Sequence, residues 1–121
     1  MNRVIITTSL VALAGLSGCG GAGEETRVKV GAELKSTACE PSSGVRVADL
    51  RRTLETNGIA VTQTTCGAYS AGRVAICGVP DDALAFFEVP ESATAAAKNL
   101  GFFVASERPL AIDNGPCQAG R

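Results

Sequence analysis

Thiol groups are the most reactive side chains of this sequence, and their positions limit what they can form. The 121 residues include five cysteines, at positions 19, 39, 66, 77 and 117, and no histidine. Zinc sites use cysteine and histidine ligands at short spacings, and redox proteins usually carry a C-x-x-C pair. No C-x-x-C pair occurs here, and a zinc site would need four widely spaced thiolates. We therefore predict no metal site and regard disulfides as the simplest use of most of these thiols.

The other polar side chains offer little for catalysis. General acid–base chemistry at neutral pH usually needs a histidine or a carboxyl group with a perturbed pKa. Asp81 and Asp82 form the tightest carboxylate pair, but they follow a proline, as a solvated turn would. Ser70 has no base in reach, and Lys98 is predicted on an exposed helix flank. Because the nucleophile-elbow, P-loop and zinc-protease motifs are also missing, we predict that the chain is not an enzyme and uses no cofactor.

An apolar segment at the amino terminus ends in Leu16-Ser17-Gly18-Cys19. Arg3 precedes it, and the 13 residues from Val4 to Leu16 are mostly apolar. A membrane-spanning helix needs about 20 apolar residues, so this segment is too short to be one. A basic start, a short apolar stretch and small residues at its end are typical of a secretory signal. The closing four residues resemble a lipobox, the processing signal of bacterial lipoproteins.

The resemblance to bacterial lipoproteins covers residues 1–19 and implies the fate of Cys19. Its thiol would receive a diacylglycerol group, the chain would be cut before it, and the new amino terminus would be acylated. Several acyl chains hold a protein stably on a membrane, whereas one does not. Gly20 follows, and the absence of Asp there resembles the outer-membrane address of enteric bacteria. We therefore expect a lipid-anchored protein on the inner leaflet of the outer membrane, facing the periplasm; an ordinary signal peptide is the alternative.

The predicted organisation has three parts: a signal peptide over residues 1–18, the lipidated cysteine and a flexible tether over 19–26, and one domain over 27–121. Removing residues 1–18 takes away one basic residue and no acidic one, so the formal charge changes from −1 to −2. The only adjacent basic pair is Arg51-Arg52. Nucleic acid is therefore not an expected partner, and the membrane would be reached through the lipid.

With Cys19 assigned to lipid, four cysteines are left: Cys39, Cys66, Cys77 and Cys117. An even number in a small exported domain predicts two disulfides, for which three pairings are possible. Cys66 and Cys77 flank Ala71-Gly72 symmetrically, so a hairpin turning there would place them opposite each other. We therefore favour Cys66–Cys77, with Cys39–Cys117 tying the start of the domain to its end.

Hydrophobic periodicity and turn residues predict strands and helices throughout the domain. Tight turns between the middle strands favour an antiparallel meander, and residues 108–121 are predicted to be irregular. We therefore predict an α+β fold, in which two helices pack on one face of a small antiparallel sheet of four or five strands and disulfides cross-link the domain. The predicted strands are 27–34, 59–66, 74–79, 83–89 and 102–105, and the predicted helices are 47–57 and 90–100.

Four of the five aromatic residues form two doublets, Phe86-Phe87 and Phe102-Phe103, each in a predicted strand. Neighbouring strand residues point to opposite faces, so one Phe of each doublet should enter the core and the other should emerge on the far face. An exposed pair would mark a partner surface, unless residues 27–34 or the carboxy-terminal tail cover it. Tyr69 is a second candidate contact, or packs against a disulfide.

These observations favour an envelope lipoprotein whose domain binds another envelope protein. The first alternative is a carrier or sensor of a small ligand or glycan, which would need a concave apolar site with convergent polar groups. The second alternative is a thiol redox protein, which a labile disulfide would favour.

Overall fold

A computed structural model describes residues 25–40, 43–71 and 76–118. The predicted signal peptide, Cys19 and the tether up to residue 24 lie outside the described residues, as do residues 72–75. Within the described ranges, no helix combines the length and the apolar character needed to cross a bilayer.

Five strands form one antiparallel sheet, and two helices accompany it, so the predicted α+β fold class is confirmed. The strand order is β4-β1-β3-β2-β5, in which only β2 and β3 are consecutive neighbours. The predicted meander of the middle strands is wrong, because residues 76–79 form no strand and β2 pairs directly with β3. The strands are β1 (Arg27–Glu33), β2 (Gln63–Tyr69), β3 (Ala83–Pro90), β4 (Phe103–Val104) and β5 (Ala111–Asp113).

Strand β3 lies at the centre because it is the most apolar stretch of the domain. Residues 83–87 and Val89 are all buried. An apolar run of this length is typical of a strand covered on both faces. In the register, Phe86 stands opposite Gly31 on β1 and opposite Thr65 on β2.

The two helices pack on one face of the sheet, as predicted. Helix α1 spans Val47–Thr56, and α2 spans Thr94–Asn99 after a 3-10 turn over Glu91–Ala93. Gly58 and Gly101 follow them with positive φ of 77° and 96°, the left-handed conformation that ends helices. The buried core between helices and sheet includes Val30, Val47, Leu54, Ala85, Phe87, Val89, Ala97 and Phe102.

Two of the predicted strand assignments are wrong. Residues 76–79, predicted as part of a strand, form turns, and residues 111–113, predicted as irregular, form β5. Strand β2 begins at Gln63 instead of residue 59 and continues to Tyr69. The reason is that β2 is flanked by the apolar strand β3 on one side and by β5 on the other, which leaves residues 76–79 no place beside it. The 76–80 segment instead joins the 37–40 loop, with Ala38 N–H donating to Val79 O at 2.9 Å.

All four domain cysteines form disulfides, but the predicted pairing is wrong. The bonds are Cys39–Cys77 and Cys66–Cys117, with Cα–Cα distances of 5.2 and 4.8 Å. Ala85, not Cys77, lies opposite Cys66, because β2 pairs with β3. The chain after β5 returns beside β2, where Asn114 N–H donates to Cys66 O at 2.9 Å, and this brings Cys117 to Cys66.

Candidate functional site

The face of the sheet away from the helices carries the second member of each Phe doublet. The doublets alternate as predicted: Phe87 and Phe102 enter the core under the helices, while Phe86 and Phe103 lie on the other face. That second pair is nevertheless buried, with 1% and 8% of its surface exposed. The far face is therefore covered, which is the alternative to an exposed partner surface, and Phe86, Phe87, Phe102 and Phe103 are all part of the interior.

Two glycines make room for the buried ring of Phe86. A Cβ atom on Gly31 would stand 3.1 Å from the Phe86 ring and 2.6 Å from that of Phe103. A Cβ atom on Gly67, on the other neighbouring strand, would stand 2.8 Å from the Phe86 ring. Glycine within a strand often marks such a close approach. The rings of Phe86 and Phe103 then meet edge to face, with centroids 6.2 Å apart.

Arg108 and Tyr69 cover the remaining side of this aromatic cluster. The Arg108 guanidinium lies 4.4 Å from the centroid of the Phe103 ring, within cation–π range. It also donates from Nη1 to the Tyr69 hydroxyl at 2.9 Å, and that hydroxyl donates to Glu33 Oε1 at 2.9 Å. Tyr69 thus serves as a bridge within the fold, and the segment that follows β4 supplies the cover.

A charged group that the sequence analysis missed closes the other end of this face. Lys29 Nζ lies 2.5 Å from Asp113 Oδ2, which also accepts a hydrogen bond from the Thr65 hydroxyl at 2.7 Å. Asp113 Oδ1 accepts from Gly115 N–H at 2.8 Å. The link between Asp113 and Lys29 could not be predicted from the sequence, because that contact depends on the strand order. The bonds from Lys29 and Thr65 tie β5 to β1 and β2, and the bond from Gly115 closes the turn after β5.

Opposing influences set the acidity of Asp113. Partial burial alone would raise its pKa, but the hydrogen bonds from Lys29, Thr65 and Gly115, together with the Lys29 charge, hold the pKa below its ordinary value of 3.8. Because the folded pKa is lowered, the carboxylate stabilises the fold above pH 3.8, and this stabilisation is lost as the pH falls through the lowered value.

Asp113→Asn should therefore lower the free energy of unfolding by about 1–2 kcal/mol at pH 7, the range expected for partly exposed hydrogen bonds to a charged group. The difference from the unsubstituted protein should shrink as the pH falls below 3.8. Urea unfolding at pH 7 and pH 3 measures it. Asp49→Asn is the matched control, since Asp49 is 53% exposed in its side chain. An equal difference at both pH values would contradict the assignment.

The residues considered for catalysis are dispersed and hold structural contacts. Asp81 accepts the Ser36 hydroxyl hydrogen, and its two carboxylate oxygens lie 2.8 and 2.7 Å from Ser36 Oγ. Lys98 pairs with Glu107 at 2.8 Å on the surface, and Ser70 donates its N–H to Leu110 O. Among the residues that the structure describes, no group of three or more carboxyl, thiol or imidazole side chains could hold a metal ion.

An exposed apolar pair lies at the edge of the sheet. Leu110 and Ile112 are 57% and 42% exposed, and Ile112 belongs to β5. One side of β5 pairs with β2, while no described strand pairs with its other side. We call Leu110 and Ile112 on this open strand the edge patch. No strand is predicted at this edge, because the mixed polar and apolar residues after position 107 give no strand signal.

No protein-family model, no curated protein and no solved structure matches the chain.

Proposed function

We propose that the protein is a lipid-anchored envelope lipoprotein, not an enzyme, whose domain binds another envelope protein through the edge patch. One observation carries the proposal. The outer side of β5 pairs with no described strand, and two apolar side chains at this edge, Leu110 and Ile112, are exposed. An edge strand can accept an extended segment of a partner as an additional strand. Proteins usually protect such edges with charge or proline, so an apolar one suits an interaction site.

The position of β5 supports this role. Disulfide Cys66–Cys117 and the Lys29–Asp113 ion pair hold the strand and the chain after it against the sheet. A preorganised surface loses little conformational freedom when it binds, which favours affinity. The lipobox-like residues 16–19 support the anchor, and a tether of a few residues would hold the domain near the membrane surface, where envelope partners lie.

Site-specific photocrosslinking in intact envelopes tests the proposal. A benzoyl-phenylalanine at position 112 should form an adduct with one envelope protein, while the same probe at the exposed position 52 on α1 should not. Leu110→Asp should abolish the adduct, because it places a charge in an apolar contact. Equal labelling from positions 112 and 52 would reject the edge patch as the interface.

The anchor is tested in the same cells. Cys19→Ala should leave the precursor uncleaved and remove the lipid mass from the amino terminus, as read by mass spectrometry. A processed, unmodified Cys19 in the unsubstituted protein would reject the lipoprotein assignment while leaving the edge patch open to its own test.

A further inference from the structure

A cleft opens where the short strand β4 leaves β1. Strand β4 pairs with β1 only at Val104–Val30 and Phe103–Gly31, and the chain before it turns at Gly101 with φ of 96°. Between this turn, the end of β1 and helix α1 lies a space of about 360 Å³. Ligand pockets span about 300–1,000 Å³, so this cleft suits a small ligand.

The lining of the cleft contains both apolar and charged side chains. Three charged residues, Glu33, Lys35 and Arg108, line it together with six apolar residues and Gly101. Two cations against one carboxylate give the lining a formal charge of +1, although the whole chain carries −1. The apolar lining consists of Ala32, Val45, Leu50, Leu100, Phe102 and Phe103.

Lys35 holds an unusual backbone conformation at this cleft. Its φ of 55° lies in the left-handed region that favours glycine. Both neighbours are buried anchors: Leu34 O accepts a hydrogen bond from Val45 N–H at 2.7 Å, and the Ser36 hydroxyl donates to Asp81. A non-glycine residue in this region costs free energy and often occurs at functional sites. No described residue bonds to the Lys35 ammonium group, which is therefore available to a ligand.

Arg108 supplies a second cation with a fixed orientation. Its guanidinium lies against the Phe103 ring, and its one described hydrogen bond goes to the Tyr69 hydroxyl. A guanidinium has five N–H donors, so most of its hydrogen-bonding capacity is left for an anion. The Glu33 carboxylate accepts the Tyr69 hydroxyl hydrogen bond, which places the tyrosine between the acid and the arginine.

We propose that this cleft binds a small carboxylate with an apolar body. The carboxylate would lie between Lys35 and Arg108, and the body would contact Leu50, Leu100 and Phe102. A monoanion matches the charge of the lining, and a guanidinium fork matches the two oxygens of a carboxylate. This site is separate from the edge patch and does not depend on the interaction function proposed above.

Titration with octanoate, followed by ¹H–¹⁵N NMR, tests the site on the full chain carrying Cys19→Ser to prevent acylation. Octanoate should shift the amide signals of residues 32–35 and 100–103. Octanamide lacks the charge, and a charge-assisted hydrogen bond is worth about a factor of ten in affinity, so octanamide should bind about tenfold more weakly or worse. Acetate lacks the apolar body and should also bind about tenfold more weakly or worse.

Lys35→Gly separates binding from folding. Glycine relieves the left-handed strain, so the thermal midpoint should rise while the octanoate dissociation constant increases about tenfold. Lys35→Met, which keeps the apolar stem, should show the same loss of affinity. Arg52→Gln removes one positive charge from exposed α1 and should leave binding unchanged. Unaltered octanoate affinity in Lys35→Gly and Lys35→Met, equal binding of octanamide, or no binding to the unsubstituted chain would overturn the proposal.

Discussion

Phe86→Ala should lower the free energy of unfolding by about 3–5 kcal/mol, the range for removing a fully buried phenylalanine. The ring is 1% exposed and fills the space above Gly31 and Gly67. Removing it would leave a cavity that the two flanking strands cannot close, because their main-chain positions are fixed by pairing with β3. The edge-to-face contact with Phe103 would be lost as well.

Urea unfolding at pH 7, followed by circular dichroism, measures this effect. Ile112→Ala serves as the control, since the side chain is 42% exposed and its removal should change stability by about 0.5 kcal/mol or less. If Phe86→Ala cost no more than this control, the face opposite the helices would have to be open to solvent. In that case the aromatic doublets would again qualify as a partner surface.

Removing the Cys66–Cys117 disulfide by the double substitution Cys66→Ala and Cys117→Ala should lower the free energy of unfolding by about 4 kcal/mol. The two residues are 51 positions apart, and cross-links that close loops of this length are expected to contribute about that amount. The loss should be greatest around β5, because the bond holds the chain that follows this strand. Hydrogen exchange of the β5 amides should therefore accelerate more than that of β3.

The matched control is the double variant Cys39→Ala with Cys77→Ala. Its sequence separation of 38 predicts a similar loss of stability, but this bond joins the 37–40 and 76–80 segments, neither of which pairs with β5. Its β5 amides should keep their protection relative to β3. Equal acceleration in the two double variants would show that Cys66–Cys117 does not specifically hold the edge of the sheet.

The pairing itself can be verified before any variant is made. Trypsin cuts after Lys35, Arg46, Arg52, Arg73 and Lys98, and the bond after Arg108 is protected by the following proline. Each domain cysteine then lies in a different peptide: 36–46, 53–73, 74–98 or 99–121. Without reduction, 36–46 should be joined to 74–98, and 53–73 to 99–121. A 53–73 peptide joined to 74–98 would instead support the Cys66–Cys77 pairing that the sequence predicts.

Local patterns in the sequence were enough to predict the helices and the central strand. Val47, Leu50 and Leu54 recur at helical spacing. Gly58 ends α1, because glycine adopts the left-handed conformation at little cost in free energy. The apolar run of residues 83–89 predicted a strand, and these residues form most of β3. The alternation of the Phe doublets across the sheet also followed from strand geometry alone.

Features that depend on which strands pair could not be predicted locally. The disulfide partners follow from Cys66 lying opposite Ala85 and beside the returning chain. The Lys29–Asp113 contact joins residues 84 positions apart, and no periodicity connects them. The burial of Phe86 and Phe103 required knowing that glycines stand beside them and that Arg108 folds over them. The cleft at Lys35 arises where β4 stops pairing, which no residue pattern indicates.

The placement of β1 inside the sheet bears on mechanical load. A lipid anchor would transmit pulling force through the tether into Arg27, the first residue of a strand that pairs with β3 over seven residue pairs and with β4 on its other side. Force along a strand held on both sides must shear many hydrogen bonds at once, whereas force across an edge breaks them one after another. Force entering at β1 would therefore load the bonds to β3 and β4 together, in shear.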